Sequence, residues 1–397
     1  MTYLDDATKR KDVVLRTIQE DRNIPAKNKE LVQKYVVFMK SKGLHDRTIN
    51  KNLYCMAVFL RALGNKDALK AKREDIEDVL YKLENTKYAA HTKQHIKIII
   101  KAFYRHFLGE DLFYPKIVAT IKTGIGRTKQ LNPSALLTEE EVLKLIESAN
   151  NPRDKAIIAL FYDTGIRVGE LLNMRVRDID LDNEPGHIVV DGKTGVRRIV
   201  ILFSIPYLAQ YLNMQKDRKP TDYVWMAQGT WSNKNQRTDY AGVRIMLKRV
   251  GESAGLHKRI YPHLFRHSRA SFYANRLTES QLKNFFGWTG DSRMAATYVH
   301  LSGRDVDNAV LAANGIKTQQ KELESKLKVK SCPKCRMSNT PDASYCSRCG
   351  CAMSIELAMQ QEKDKENLHE LFNEWIKNKE LIERQLKMLK EKDKEIS

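Results

Sequence analysis

Two Cys-x-x-Cys pairs set ten residues apart, in "CPKCRMSNTPDASYCSRCG", constrain the fold of this chain more than any other feature. Cys332, Cys335, Cys346 and Cys349 offer four sulfurs from two tight turns, and four thiolates suit tetrahedral zinc. Without a metal, this stretch of about 20 residues would have almost no core to fold around. Five of the six cysteines fall between 332 and 351. In a reducing compartment such a cluster is a metal site rather than a disulfide framework. Four thiolates close the coordination sphere, so the expected Zn2+ is structural. Cys351 is left over and is not expected to be a ligand, and Cys55 lies far upstream.

The cluster divides the chain. Beyond it, residues 352–397 are strongly helix-forming, with Leu368, Leu371, Trp375, Ile382 and Leu389 in a loose heptad. Asn378 and Gln385 occupy other seam positions. This tail reads equally as a partner-binding helix able to form a coiled coil and as a solvated single helix with i,i+4 pairs. Ahead of the cluster, residues 1–27 read as an N-terminal extension. Four amphipathic helices follow over 28–43, 47–64, 73–83 and 91–109, with Thr48 as the expected N-cap of the second, giving a helical domain at 28–110. Residues 111–134 hold two prolines and two glycines and read as a linker.

A second domain spans 135–315. Thr138 and Glu141 have capping-box spacing, with Leu137 just before the cap. A helix ends at Gly165, "HIVV" and "RRIVIL" form a hairpin around "DGKTGV", and helical periodicity returns from about 239 to 314. Residues 316–330 form a polar connector, expected to be helical, and 331–351 form the cysteine module. The fold class is therefore mainly α with a small β-sheet.

The formal net charge is +20 and the pI about 9.5, which points to a polyanionic partner such as nucleic acid. The tail's charges nearly balance, so the positive excess lies upstream. No run of 18 apolar residues exists and the start lacks an apolar signal region, so a cytoplasmic protein with no membrane partner is expected.

The second domain carries a set of groups suited to phosphate chemistry: Arg167, Lys193, His263, Arg266 and Tyr298, with Trp288 between the last two. Two arginines match the geometry and charge of a phosphodiester under attack. A lysine on a hairpin tip can protonate a leaving oxygen, a histidine can shuttle a proton, and a tyrosine can attack phosphorus. His267, Arg269, Tyr261 and Tyr273 read as structural or flanking residues. No carboxylate cluster suggests a two-metal nuclease, and no Walker loop is present.

In order and context, "TGIRVGELLNMRVRDID", "GKTGVRRIVIL", "HLFRHSRASF" and "FGWTGDSRMAATYVH" resemble the catalytic domain of the tyrosine recombinase (phage integrase) family, most of all integrases of archaeal viruses and proviruses. The 28–110 segment resembles that family's SAM-like core-binding domain, and the cysteine module resembles a zinc ribbon. The resemblance implies a site-specific recombinase that cuts and rejoins strands through a 3′-phosphotyrosine, without ATP or catalytic metal. It implies Arg167 and Arg266 as the catalytic arginines, Lys193 as the hairpin lysine, His263 as their partner and Tyr298 as nucleophile. Trp288 takes a place where many members have histidine; it can donate a hydrogen bond but not shuttle a proton. The implied partners are double-stranded DNA at specific sites and further copies of the chain, in a tetrameric synapse. The alternatives are a catalytically silent zinc-ribbon DNA-binding regulator and a type IB topoisomerase-like activity.

Overall fold

The computed structural model describes residues 3–109, 113–124, 132–181, 185–192, 194–215, 217–227, 237–274, 276–301, 314 and 325–395. The chain divides into two compact units, Met1–Lys129 and Gln130–Ser397. The expected class is observed: helices dominate, with one three-stranded and one two-stranded sheet among the described residues.

The first unit contains α1 (Tyr3–Glu20), α2 (Ala26–Ser41), α3 (Asp46–Leu63), α4 (Arg73–Glu84), α5 (Ala90–Leu108) and the single turn α6 (Lys116–Ala119). The four periodic segments read from sequence are α2 to α5. Their apolar faces meet in a core around Leu53, Phe59, Ile100 and Phe103. A polar pin holds the α3–α4 loop. The buried Asn28 amide donates to the Lys66 carbonyl and accepts from the Ala68 N–H, both at 2.9 Å, while the Tyr104 hydroxyl donates to the Ala68 carbonyl at 2.8 Å. Buried polar groups left unpaired would be costly, so these bonds fix one loop conformation.

The structure departs from the sequence reading in three places here. Thr48 is not the N-cap of α3. His45 caps it in an extended conformation, and Asp46 already occupies the first turn, where its charge complements the helix dipole. Residues 1–27 contribute α1, whose Ile18 is buried in the same core and whose following residue Asp21 pairs with Arg61 at 2.5 Å. Within 111–134, α6 places Val118, and Ile121 just after it, in this core. In α1, Val14, Leu15 and Ile18 stand at helical spacing, so the helix itself is legible and only its packing is not; α6 is a single turn, too short to show a period.

The second unit opens with α7 (Glu139–Glu147). Its capping box forms as read: Thr138 Oγ1 accepts from the Glu141 N–H at 3.3 Å, and the Glu141 carboxylate accepts from the Thr138 N–H at 2.9 Å. The nearly fully buried α8 (Pro152–Thr164) forms the centre, followed by α9 (Val168–Asn173). Strands β1 (Ile179–Asp180), β2 (His187–Gly192) and β3 (Gly195–Val200) pair antiparallel in that order. Ile188 and Val190 point into the core from alternate positions of β2. Then come α10 (Ile205–Asn213), α11 (Tyr240–Ser253), α12 (Pro262–Ala274), α13 (Glu279–Phe286) and α14 (Met294–Leu301). Helices α7, α10 and α12 pack on α8. Most of the expected connector, 316–324, lies outside the described residues. Residues 325–329 form a turn rather than a helix, tied to α7 because Ser325 Oγ and the Lys326 N–H donate to Glu139. Strands β4 (Lys330–Ser331) and β5 (Ser338–Asn339) follow, and α15 (Ile355–Glu395) is the last described element.

Candidate active site

The turn between α8 and α9 begins the site. Gly165 ends α8 in the left-handed region (φ +59°), where a side chain would be strained; a Cβ there would also lie 2.7 Å from the Phe286 ring. This turn delivers Arg167 in extended conformation at the start of α9. Arg167 donates to Glu170 Oε1 and to the Gly287 carbonyl, both at 2.7 Å. Glu170 also accepts the Arg167 backbone N–H at 3.0 Å and a bidentate pair of bonds from Arg197 of β3 at 2.9 and 2.8 Å. Burial alone would raise the Glu170 carboxyl, but the hydrogen bonds from Arg197 and the Arg167 backbone, with the Arg197 charge and the Arg167 side-chain bond, hold it down to about 2.

Arg266 rises from α12 and is 5% exposed. It donates to the Gly165 carbonyl at 3.0 Å and to the Phe286 carbonyl at 2.5 Å, with its guanidinium 5.0 Å from the Phe286 ring centroid and 5.4 Å from that of Trp288. Burial, then the neighbouring Arg167 charge, lowers its pKa to about 9, so it stays cationic at neutral pH. His263, one turn earlier, is pushed below the ordinary histidine value by burial and by Arg266 and Arg167, which keeps it neutral.

The last turn of α13 is the hub. Phe286 holds Arg266 and Gly287 holds Arg167. Thr194, on the hairpin tip, donates to the same Gly287 carbonyl at 3.1 Å. Gly287 adopts φ +58°, and a Cβ there would lie 2.8 Å from Arg197. Trp288 comes next and lies flat on the Tyr298 ring, with centroids 5.5 Å apart and planes 3° apart. The segment 289–293 is a loop, and the helix that carries the tyrosine, α14, begins at Met294. Tyr298 is 1% exposed and its hydroxyl meets Nδ1 of His267. Burial, partly offset by Arg266, pushes its pKa up to about 12.

Of the sequence candidates, Arg167, Arg266, Trp288 and Tyr298 thus gather on one hub, with His263 beside the arginines. Lys193 lies outside the described residues. Arg269 pairs with the buried Asp163 and packs on Tyr273, whose ring in turn meets Phe285. Sequence reasoning passed over three residues. Glu170 could have been found as an acid three residues after Arg167 at a helix start. Arg197 had only its strand position, and His267 was set aside beside Arg266 although it touches the tyrosine.

In the cysteine module the four sulfurs lie within 4.8 Å of one another, with Cys332–Cys349 and Cys335–Cys346 at 3.6 Å. A tetrahedron with Zn–S bonds of about 2.3 Å has edges of about 3.8 Å, so the set fits a metal of that size. Asn339, 1% exposed, braces the second turn by accepting from the Ser347 N–H at 2.8 Å. Cys351 stands outside the group and its thiol faces the Ala352 carbonyl.

Residues 135–304 match the sequence model of the phage integrase family. The chain is 30% identical over 245 residues to tyrosine recombinase XerC of Lactobacillus leichmannii, covering 58% of this chain and 78% of the relative. The protein belongs to the tyrosine recombinase family. As such it is an enzyme of DNA strand breakage and rejoining. A second relative of this recombinase is XerA of Pyrococcus horikoshii, 27% identical over 259 residues, covering 63% of this chain and 81% of the other. The recombinase shares its fold with a lambda integrase (75–356) dimer bound to a COC′ core site, at a TM-score of 0.54 and 17% identity over 70% of this chain and 96% of that one. No described helix is long and apolar enough to cross a membrane.

Proposed function

We propose that this recombinase cuts and rejoins double-stranded DNA at specific sites through a covalent 3′-phosphotyrosine at Tyr298, acting as a multimer on two sites. The observation that carries the reading is the convergence of Arg167, Arg266, the hairpin tip and Tyr298 on Phe286–Trp288. Two buried or half-buried guanidinium groups, oriented by Glu170 and by backbone carbonyls, form a fixed cationic seat for the scissile phosphate. Attack breaks the Tyr298 O–H bond, forms the O–P bond and breaks the bond from phosphorus to the 5′ oxygen. Neutral His267, in contact with the Tyr298 hydroxyl, is the acceptor at hand for the tyrosine proton; His263 is assigned to the scissile phosphate beside the arginines, and Lys193 to protonating the leaving 5′ oxygen. Trp288 orients the tyrosine ring rather than moving a proton. Rejoining reverses these steps on a new 5′ hydroxyl, which conserves the bond energy without a nucleotide cofactor.

The helical domain at 28–110 is assigned to grip DNA around the site, and 135–315 to catalysis. The four cysteines are assigned to a structural Zn2+, and the chain to the cytoplasm. The test is covalent trapping on nicked duplexes taken from DNA flanking the chain's own gene, in EDTA, followed by SDS. Wild type should give a denaturant-stable adduct that Tyr298→Phe lacks. An adduct that survives Tyr298→Phe would move the nucleophile elsewhere. Tight salt-sensitive binding without any adduct on a broad set of sites would favour a silent DNA-binding regulator.

A further inference from the structure

Helix α15 is 41 residues long and follows the cysteine module. It carries large apolar side chains in the open: Leu368 at 68%, Leu371 at 62%, Phe372 at 56%, Trp375 at 58%, Ile376 at 37% and Ile382 at 56% exposure. At about 100° per residue, these six fall within an arc of roughly 140°, the width of a face that packs against something. Phe372 and Trp375 stack within it, with ring centroids 6.0 Å apart. A solvated helix held by charge pairs needs no such stripe.

The charge pattern identifies what covers it. Residues 355–376 contain six acidic and two basic residues; residues 377–395 contain seven basic and five acidic. The two halves therefore carry opposite net charge. A parallel pair of these helices would set like halves side by side. An antiparallel pair sets each acidic half along a basic half. Trp375 is at the centre of the span Leu368–Ile382 and two residues from Lys377, where the sign changes. A twofold axis near Trp375 therefore brings the stripe onto itself and sets Glu366 opposite Arg384 and Glu356 opposite Lys394 of the second copy, the closed symmetry that homodimers use.

We infer that α15 pairs antiparallel with α15 of a second copy, so that the recombinase dimerises before it meets DNA. The interface is separate from the catalytic hub, and the dimer is independent of the reaction assigned to Tyr298. It would deliver protomers to DNA in twos.

Light scattering on the full chain without DNA tests this. The wild type should have the mass of a dimer, and Leu368→Glu/Trp375→Glu/Ile382→Glu the mass of a monomer that still forms the Tyr298 adduct. Glu356→Lys/Glu366→Lys should weaken the dimer at least tenfold, as should Arg384→Glu/Lys394→Glu, because each set faces the other across the twofold axis. The chain combining both charge swaps should regain the dimer. A wild type that is monomeric at tens of micromolar, or a dimer that survives the apolar-to-Glu variant, would overturn the pairing. Charge swaps that leave the dimer unchanged, or a combined chain that stays monomeric, would overturn the antiparallel arrangement.

Discussion

The Tyr298 hydroxyl and Nδ1 of His267 are hydrogen-bonded within a pocket that disfavours charge on either. Burial drives the tyrosine up to about 12, and burial with His263 and Arg266 drives His267 below the ordinary histidine value. Both are neutral at pH 7, so the hydroxyl donates and the bare Nδ1 accepts. His267→Ala should lower the rate of adduct formation by about 100-fold, the lower end of what a positioned base contributes. DNA affinity should change little. The wild-type rate should be flat through neutral pH and fall only at a pH below the ordinary histidine value, as His267 protonates and loses its acceptor. His267→Ala should flatten that acid limb, which single-turnover rates across pH would show.

Glu170 holds two arginines apart and in place. Glu170→Gln keeps the shape and removes the charge, leaving Arg167 and Arg197 facing each other without a counter-ion. Breaking a buried pair this way costs about 3–5 kcal/mol. Denaturant unfolding at pH 7 should show that loss, and adduct formation should fall with it because Arg167 loses its seat. The folded-state carboxyl sits at about 2, below its ordinary 4.5. Its contribution is therefore complete above about pH 4.5 and disappears as pH falls through about 2. The stability gap between wild type and Glu170→Gln should narrow steadily over that window.

The legible part of this chain was the part where several residues repeat a period or a spacing. Helices α2 to α5, the Thr138 capping box and the hairpin all follow from local rules that few competing structures satisfy. The four cysteines came together because CxxC turns leave thiolates few other uses. Helix α1 has Val14, Leu15 and Ile18 at helical spacing, but its place in the core rests on α3, a contact no local pattern announces. Arg197 was missed for the same reason: its role depends on Glu170, 27 residues earlier, meeting it across the α9–β3 contact. His267 was visible as a residue but not as a neighbour of Tyr298, because the turn of α14 that brings the hydroxyl back is tertiary.

Trp288 supports Tyr298 by stacking, which makes its chemistry separable from its shape. Trp288→Phe retains a flat apolar face against both Phe286 and Tyr298, and it should retain adduct formation within about tenfold. Trp288→Ala removes the face and exposes the tyrosine ring. An aromatic pair contributes about 0.5–1.5 kcal/mol beyond its buried area, so the variant should be destabilised by more than that. The Tyr298 adduct rate should fall well below that of Trp288→Phe. Equal rates for the two variants would show that the ring stack does not hold the nucleophile.

The cysteine module should hold one zinc per chain, detectable by elemental analysis after gel filtration. A set of four sulfurs 3.6–4.8 Å apart with so little core around it depends on the ion for its fold. Cys332→Ser/Cys346→Ser should abolish the bound zinc and raise amide exchange across residues 328–354 to the rate of an open chain. The catalytic hub draws none of its contacts from the module, since its partners are Gly165, Glu170, Phe286 and Gly287. The variant should therefore still form the Tyr298 adduct on a nicked duplex at a rate within a few-fold of wild type. Loss of the adduct together with zinc, at full DNA occupancy, would show that the module reaches the hub through the turn at Ser325 and Leu327 that packs on the catalytic core.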